Sequence, residues 1–573
     1  MSRVLSVVAC LTLPALAHAQ SPRVIAISGQ PALGQPATNT YSQLYAITLS
    51  PTGDVAFAST GNSPNQSLQQ GLYAQRAGVL TRIADNTTLG TLQSLLLPLA
   101  MKTSGDVFFS GSELVPPAPA AFFARLAAAD GSSVDLMRRG WVVPGVPEQV
   151  FTSTVESAAV ASRRRVITDD RNLLLYLASV PADTPNSPQS AGLFRYTPET
   201  GLTLEAFSQT LQDPDIPTFT ILDWPEDINN SGQAIVKLTP PGASAAYYLL
   251  SGSTPTRLLG VLDLIPGGPA NLRVVELRSA LINDAGRVFV NVVDESGFTH
   301  FIAGQPGNLQ LIHSTGQIIS SPRESALPFF SSGGAPAAAA LAEDGTAIIF
   351  CTNTTYTPPA GGGTDCSILA IAPDGTKRLL WNQREPVRML DGVAVRVHIE
   401  PRNAIAFSSP RSGRIAWICT PLRPPFRSAV CTLDDAGDPV TVLEGLTPIS
   451  TPIGSFTLAN SLVSNLTTFW EYSRDINDRG DIALIASAVN AQGAARSVAV
   501  VASLAPSPCG DIDFNNNAVF PEDQDVIDFF NVLAGAPCPT LRCDTLDFNR
   551  NGSFPEDQDV IDFLTVLAGG SCS

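Results

Sequence analysis

Two stretches near the C-terminus carry oxygen-bearing side chains at alternate positions. They are Asp513, Asn515 and Asn517, then Asp547, Asn549 and Asn551. Oxygens at every second residue of a tight loop point inward, and carboxylate and amide oxygens suit a hard cation such as calcium. A backbone carbonyl at the seventh position would come from Val519 and from Ser553. A carboxylate from the start of the following helix, Asp525 and Asp559, would close each shell. These aspartates stand at the thirteenth position, so each loop holds one residue more than the usual twelve. Two Ca²⁺ sites are expected. The first should be the weaker, because Ala518 replaces the turn glycine that Gly552 supplies in the second.

The two stretches belong to a duplication. Cys509–Cys538 and Cys543–Cys572 match at 20 of 30 positions without a gap, at an offset of 34 residues. Each half continues into a short helix, DVIDFFNVLAG or DVIDFLTVLAG. Val526, Phe529, Phe530 and Leu533 form the expected apolar face of the first, with Gly535 as its stop. Val560, Phe563, Leu564, Leu567 and Gly569 repeat the pattern. Asp525 and Asp559 also fall at helix N-termini, where negative charge is favoured.

Two loop–helix units in tandem, without the incoming helix of a full EF-hand, resemble a dockerin domain over residues 509–573. The module is similar to the Cys-flanked form found in planctomycete-type bacteria. The resemblance implies calcium-dependent docking onto a cohesin-like or other surface protein. Repeat symmetry suggests pairing Cys509 with Cys538 and Cys543 with Cys572. Cys509–Cys572 with Cys538–Cys543 is an alternative that stays open.

The elements before this module are repeats. A polar turn closing on glycine, followed by an alternating apolar strand, recurs as LSPTGDVAFAS, MKTSGDVFFSG, ITDDRNLLLYL, INNSGQAIVKL, INDAGRVFVNV, LAEDGTAIIFC, IEPRNAIAFSS and INDRGDIALIA. The glycine position falls at 53, 105, 171, 232, 286, 345, 403 and 480, a mean period of 61 residues, with Arg at 171 and Asn at 403. A hairpin follows each copy, as in GLYAQRAGVLTRIA and SILAIAPDGTKRLLW. Three or four antiparallel strands per unit fit a propeller blade. The eighth unit lacks its last strand, and RVIAISGQ at 23–30 can supply it and seal the ring. The reading is mainly β, an eight-bladed β-propeller over residues 20–503. Seven blades is the alternative, because the 403–480 gap is long, and an array of β-sandwiches is a second one. The turn-plus-strand resembles the repeats of TolB-like propellers, and more closely those of secreted planctomycete-type repeat propellers.

Residues 1–19 read as a secretory signal, with Arg3, an apolar stretch and the Ala17-His18-Ala19 cleavage site. The expected mature protein is therefore extracellular or attached to a cell surface, with no membrane-spanning segment. Residues 504–508 read as a linker. Export permits disulfides, and Cys351 with Cys366, and Cys419 with Cys431, each bracket a hairpin loop.

Composition narrows the function. Net charge is −17, and only 15% of residues are charged. An acidic excess without Lys/Arg clusters argues against a nucleic-acid partner. No HExxH, GxSxG or GxxxxGK[ST] pattern occurs, so no catalytic residue is expected. His300 and His313 read as strand or surface residues. Trp224, Trp381, Trp417 and Trp470 read as packing. Asp227-Ile-Asn229 and Asp475-Ile-Asn477 resemble half a calcium loop, but a strand follows each, so they read as turns that cap backbone N–H groups. The expected function is a secreted, non-enzymatic binding or scaffold propeller carried by a calcium-dependent module. The alternative is an extracellular carbohydrate- or polymer-active hydrolase.

Overall fold

The structure is a computed structural model. It describes residues 22–567 apart from 35–37, 64–65, 86–88, 90–95, 114–120, 152–172, 180–188, 198–199, 208–220, 240–242, 252–253, 315–317, 322–323, 329–338, 354–364, 383–385, 392, 399–406, 409–412, 423, 425–426, 435–436, 463–473, 478, 504–513, 516–522, 537, 540–545, 547 and 549–555. One compact unit spans Ser21–Ala502 and a second takes in Ser503–Ser573.

The first unit is an eight-bladed β-propeller. Its blades span 40–85, 97–138, 142–207, 221–260, 274–314, 339–382 and 387–444, and the eighth joins 448–502 to strand Arg23–Ile27. Most strands within a blade pair antiparallel with their chain neighbours; in blade 7 Arg388 pairs parallel with Val440, and in blade 8 Gly454–Leu458 pairs with Ile482–Val489 past Arg474–Ile476. First strands of neighbouring blades lie side by side: Thr40–Leu49 beside Leu97–Met101, Ile221–Ile228 beside Val274–Ile282, and Arg474–Ile476 beside Thr40–Leu49. They form the inner ring.

Closure occurs at the N-terminal strand. Arg23–Ile27 pairs antiparallel with Ala495–Ala502, Arg23 opposite Val501 and Ile27 opposite Val498. It fills the fourth-strand place that Val79–Asp85 fills in blade 1. The long 403–480 interval leaves room for the hairpin Pro448–Thr451 with Gly454–Leu458 at the start of blade 8.

The repeat turns explain themselves. Gly53, Gly105, Gly232, Gly286, Gly345 and Gly480 all have φ between 75° and 86°. Each donates its N–H to the carbonyl three residues back, while that residue bonds the carbonyl four ahead, as Asn229 does with Gln233. A type I turn followed by a left-handed residue has this pattern, and glycine adopts it without a Cβ clash.

Core residues lie in the seams between blades. Tyr41, Phe57, Ile485 and Val501 share the closure seam. Phe289, Phe301, Ile349 and Leu369 share the seam of blades 5 and 6. Trp381 and Trp417 stack at 5.0 Å in the next seam, near buried Cys419 and Cys431, which form a disulfide. Each buried aromatic or aliphatic side chain contributes roughly 1.5–3 kcal/mol, so neighbouring blades hold each other. Cys351 stands opposite Ser367 and Cys366 opposite Thr352, while their side chains lie outside the described residues.

Polar latches complete the inner ring. Asp227 accepts the N–H of Ile228 in its own blade and of Ile282 in the next, at 2.9 Å each. Asp475 does the same across the closure seam, accepting from Ile476 at 2.9 Å and Leu49 at 2.7 Å. Asn229, Asn283 and Asn477 donate to the next blade's turn carbonyls, Asn283, Ala342 and Ser50, at 2.9–3.1 Å. The capping read in the sequence is present, and it reaches across to the neighbouring blade. An inner strand has one edge that no strand covers, and these carboxylates satisfy its N–H groups.

One element of the repeat carries no fixed sequence signal. Hairpins or single bridges stand at blade junctions: Pro31 with Thr40, Val142–Val143 with Val146–Val150, Leu264 with Arg273, Ile318–Ser321 with Glu324–Pro328, Val387–Arg388 with Ala394–Val395, and Pro448–Thr451 with Gly454–Leu458. In an antiparallel blade these junctions emerge on the face opposite the glycine turns. Several of their residues are exposed and apolar, among them Trp141, Val142, Leu264, Val393 and Ile453.

Candidate metal centre

The C-terminal module is built on α1 (Asp523–Leu533) and α2 (Asp557–Leu567). Acidic residues fill both first turns, Asp523 and Asp525 in one and Asp557 and Asp559 in the other, where they oppose the helix dipole. Gly535, at φ 90°, ends α1. Its N–H bonds the Val532 carbonyl and the next N–H bonds that of Asn531, a Schellman stop.

Four phenylalanines make the core, all fully buried. Phe529 and Phe563 stack nearly parallel at 4.1 Å. Phe514 meets Phe529 edge-on at 5.2 Å, and Phe548 meets Phe563 likewise at 5.2 Å. The 34-residue duplication is thus a pseudo-twofold in space. Phe530 and Leu564, expected on the inward face, are 40% and 43% exposed, beside exposed Ile527 and Ile561. The inward positions go instead to carboxylates, which displace the apolar stripe outward.

Asp525 and Asp559 are fully buried, and Asp528 and Asp562 are 4% and 2% exposed. Asp559 accepts the N–H of Phe548 at 2.9 Å and of Glu556 at 3.2 Å, the second as the return half of a capping box. Asp525 accepts the Asn515 N–H at 3.4 Å. Asn515, 1% exposed, donates its side-chain amide to Asp528 at 2.9 Å. Gln524 and Gln558 donate to Asp528 and Asp562 from one helical turn away. Of the expected ligands, the structure therefore brings Asn515 and Asp525 together in one half and buries Asp559 in the other. Asp513, Asn517, Val519, Asp547, Asn549, Asn551 and Ser553 lie outside the described residues. Among the described residues no three acidic, His or Cys side chains converge. The donor set is carboxylate and amide oxygen, which fits a hard cation and not a soft one.

Asp528 and Asp562 were missed in the sequence. Each follows the closing aspartate by three residues, so it shares that residue's face, and this spacing is the signal that could have found them.

No protein-family model matches the chain, nor does any curated protein. Solved structures do. The β-propeller domain of the Trilobed protease from Pyrococcus furiosus aligns over 60% of this chain and all of its own, at 10% identity and a TM-score of 0.22. The polysaccharide lyase Uly1 aligns over 83% and 94%, at 10% identity and 0.31. The C-terminal domain of Pseudomonas aeruginosa PilY1 aligns over 70% and 93%, at 10% identity and 0.24. At these scores the likenesses carry no argument about substrate or partner.

Elsewhere the histidines depart from expectation. His300 and His313 lie on strands of blade 5 as read, but both are buried, not surface residues. His300 stays inside because Asp294 and Ser314 meet its two ring nitrogens at 2.9 and 2.8 Å. Burial alone would raise the Asp294 carboxyl. Hydrogen bonds from His300 and from the Phe298 and Ser296 N–H groups outweigh it and hold the group below the usual range. Trp381 and Trp417 are fully buried packing residues. Trp141, not singled out in the sequence, is 44% exposed. The side chains of Trp224, Trp470 and His398 lie outside the described residues.

Proposed function

We propose that this is a secreted, non-enzymatic binding or scaffold protein whose propeller is attached to a cell-surface or extracellular partner by a calcium-dependent, dockerin-like module. The observation that carries the reading is the duplicated module. It buries Asp525, Asp528, Asp559 and Asp562 around stacked Phe529 and Phe563. Carboxylates are costly to bury unless opposite charge compensates them, and a divalent cation supplies it. Asn515, Asp525 and Asp559 would hold Ca²⁺ together with Asp513, Asn517, Asp547, Asn549, Asn551 and the carbonyls of Val519 and Ser553. The first site is the weaker in this reading.

Strand Ala495–Ala502 runs toward the glycine-turn face, so the chain leaves the propeller there. The junction-hairpin face, with exposed Trp141 and Val142, is the surface this reading offers to a ligand. A hydrolase would need convergent carboxylates. Three carboxylates described in the propeller serve structure: Asp227 and Asp475 hold backbone N–H groups, and Glu444 pairs with Arg427 and the Leu390 N–H.

A pull-down from the native surface fraction tests the attachment. The full chain should retain a cohesin-like or other surface protein in calcium and release it in chelator, while a chain ending at Ala502 retains nothing. Equal retention by both chains would refute it.

A further inference from the structure

Asn291 stands on strand Val288–Asp294 of blade 5, directly across from Phe301. Successive side chains on a strand alternate between faces. Val290 and Val292 face the seam with blade 4, and Phe289 faces the seam with blade 6. Asn291 shares the Phe289 face. Its side chain is fully buried, and among the described residues neither its amide oxygen nor its amide nitrogen has a hydrogen-bond partner. Around it the seam is aromatic. Phe301 stacks with Phe289 at 5.9 Å and with buried His313 at 6.0 Å. Farther along the same cross-strand row, His313 Nδ1 lies 3.4 Å from Lys377 Nζ of blade 6.

A bare amide in such surroundings is costly, because it loses its water and receives nothing in return. Folds keep buried polar groups when something bonds them, and ordered water does so routinely. The ligand has to be small, because the seam is packed. It has to be uncharged, because Asn291 offers no compensating charge. It has to donate and accept, because the amide presents both kinds of atom. We propose that the seam between blades 5 and 6 holds internal water bound to Asn291, a hydration site beside the aromatic pair Phe289 and Phe301.

The site is tested in the full chain with N291L, which keeps the side-chain shape and removes both polar atoms. Oxygen-17 relaxation dispersion counts long-lived internal waters. The variant should lose at least one relative to the parent and melt at the same or a lower temperature. An unchanged count overturns the proposal. So does a clear rise in melting temperature, which marks a dry amide relieved by leucine. Should the variant fail to fold, a high-resolution crystal structure of the parent decides. Water density within hydrogen-bond reach of the Asn291 amide is expected, and empty density overturns the site.

Discussion

Asp227 belongs to one blade and serves two. Its second oxygen caps the Ile282 N–H of the next blade, a donor on the strand edge that faces the ring's interior. Removing the carboxylate leaves buried donors unmet, which costs about 1–3 kcal/mol for each such group. Urea unfolding of Asp227→Ala and Asp475→Ala should each show a loss of that size, and Asp227→Asn should recover part of it through its single acceptor oxygen. A surface turn aspartate such as Asp344 should change little when replaced by Ala. Asp294 gives a pH dependence with a definite sign. Its carboxyl titrates below its unfolded value, so its contribution is complete above about pH 4. That contribution is lost as pH falls through the lower folded value. Asp294→Asn should therefore flatten the acid limb of stability below about pH 4. Thermal melts of both chains from pH 2.5 to 7 would check it, and parallel acid limbs would count against it. These capping aspartates were legible in part. Asp-x-Asn before a glycine turn signals capping, but a single sequence does not say which blade's N–H is capped.

At the scale of elements, strand Arg23–Ile27 closes the ring with one short antiparallel pairing. Ala26, fully buried opposite Ala499, tolerates no proline, which removes a ladder donor and clashes with its neighbour. Ala26→Pro should lower the melting temperature and make the protein associate with concentration, because Ala495–Ala502 becomes an open edge. Light scattering and calorimetry would show both, and an unchanged monomer with an unchanged melt would contradict the closure. This strand could be read from the sequence because the eighth unit was visibly one strand short. The glycine turns could be read because their φ demands a fixed residue. The junction hairpins could not, because they shrink from the paired strands at 448–458 to the single bridge Pro31–Thr40 and keep no fixed turn residue. The helix face was read in part for another reason. Counting apolar positions places Phe530 inward with Phe529, whereas the buried row runs through Asp525, Asp528 and Phe529. A stripe that is half carboxylate does not register as a core.

The whole molecule divides its chemistry unevenly. Residues 509–573 hold twelve acidic and two basic residues, a net of −10 out of −17, so the propeller is close to neutral for its size. In the first unit apolar seams hold the blades together, and carboxylates such as Asp227 and Asp475 cap backbone N–H groups. In the second unit carboxylates are buried beside phenylalanines at the cost of an apolar stripe turned outward. A bound cation would offset those buried charges, so the proposed function stands or falls with calcium uptake by the module. The direct measurement is titration calorimetry of Ca²⁺ into the full chain and into a chain ending at Ala502, with circular dichroism alongside. The full chain should show saturable uptake at two sites, the weaker abolished by Asp525→Ala and the stronger by Asp559→Ala, and the shortened chain should show none. An absence of heat with the full chain, or equal uptake by the shortened one, would contradict calcium binding by the module.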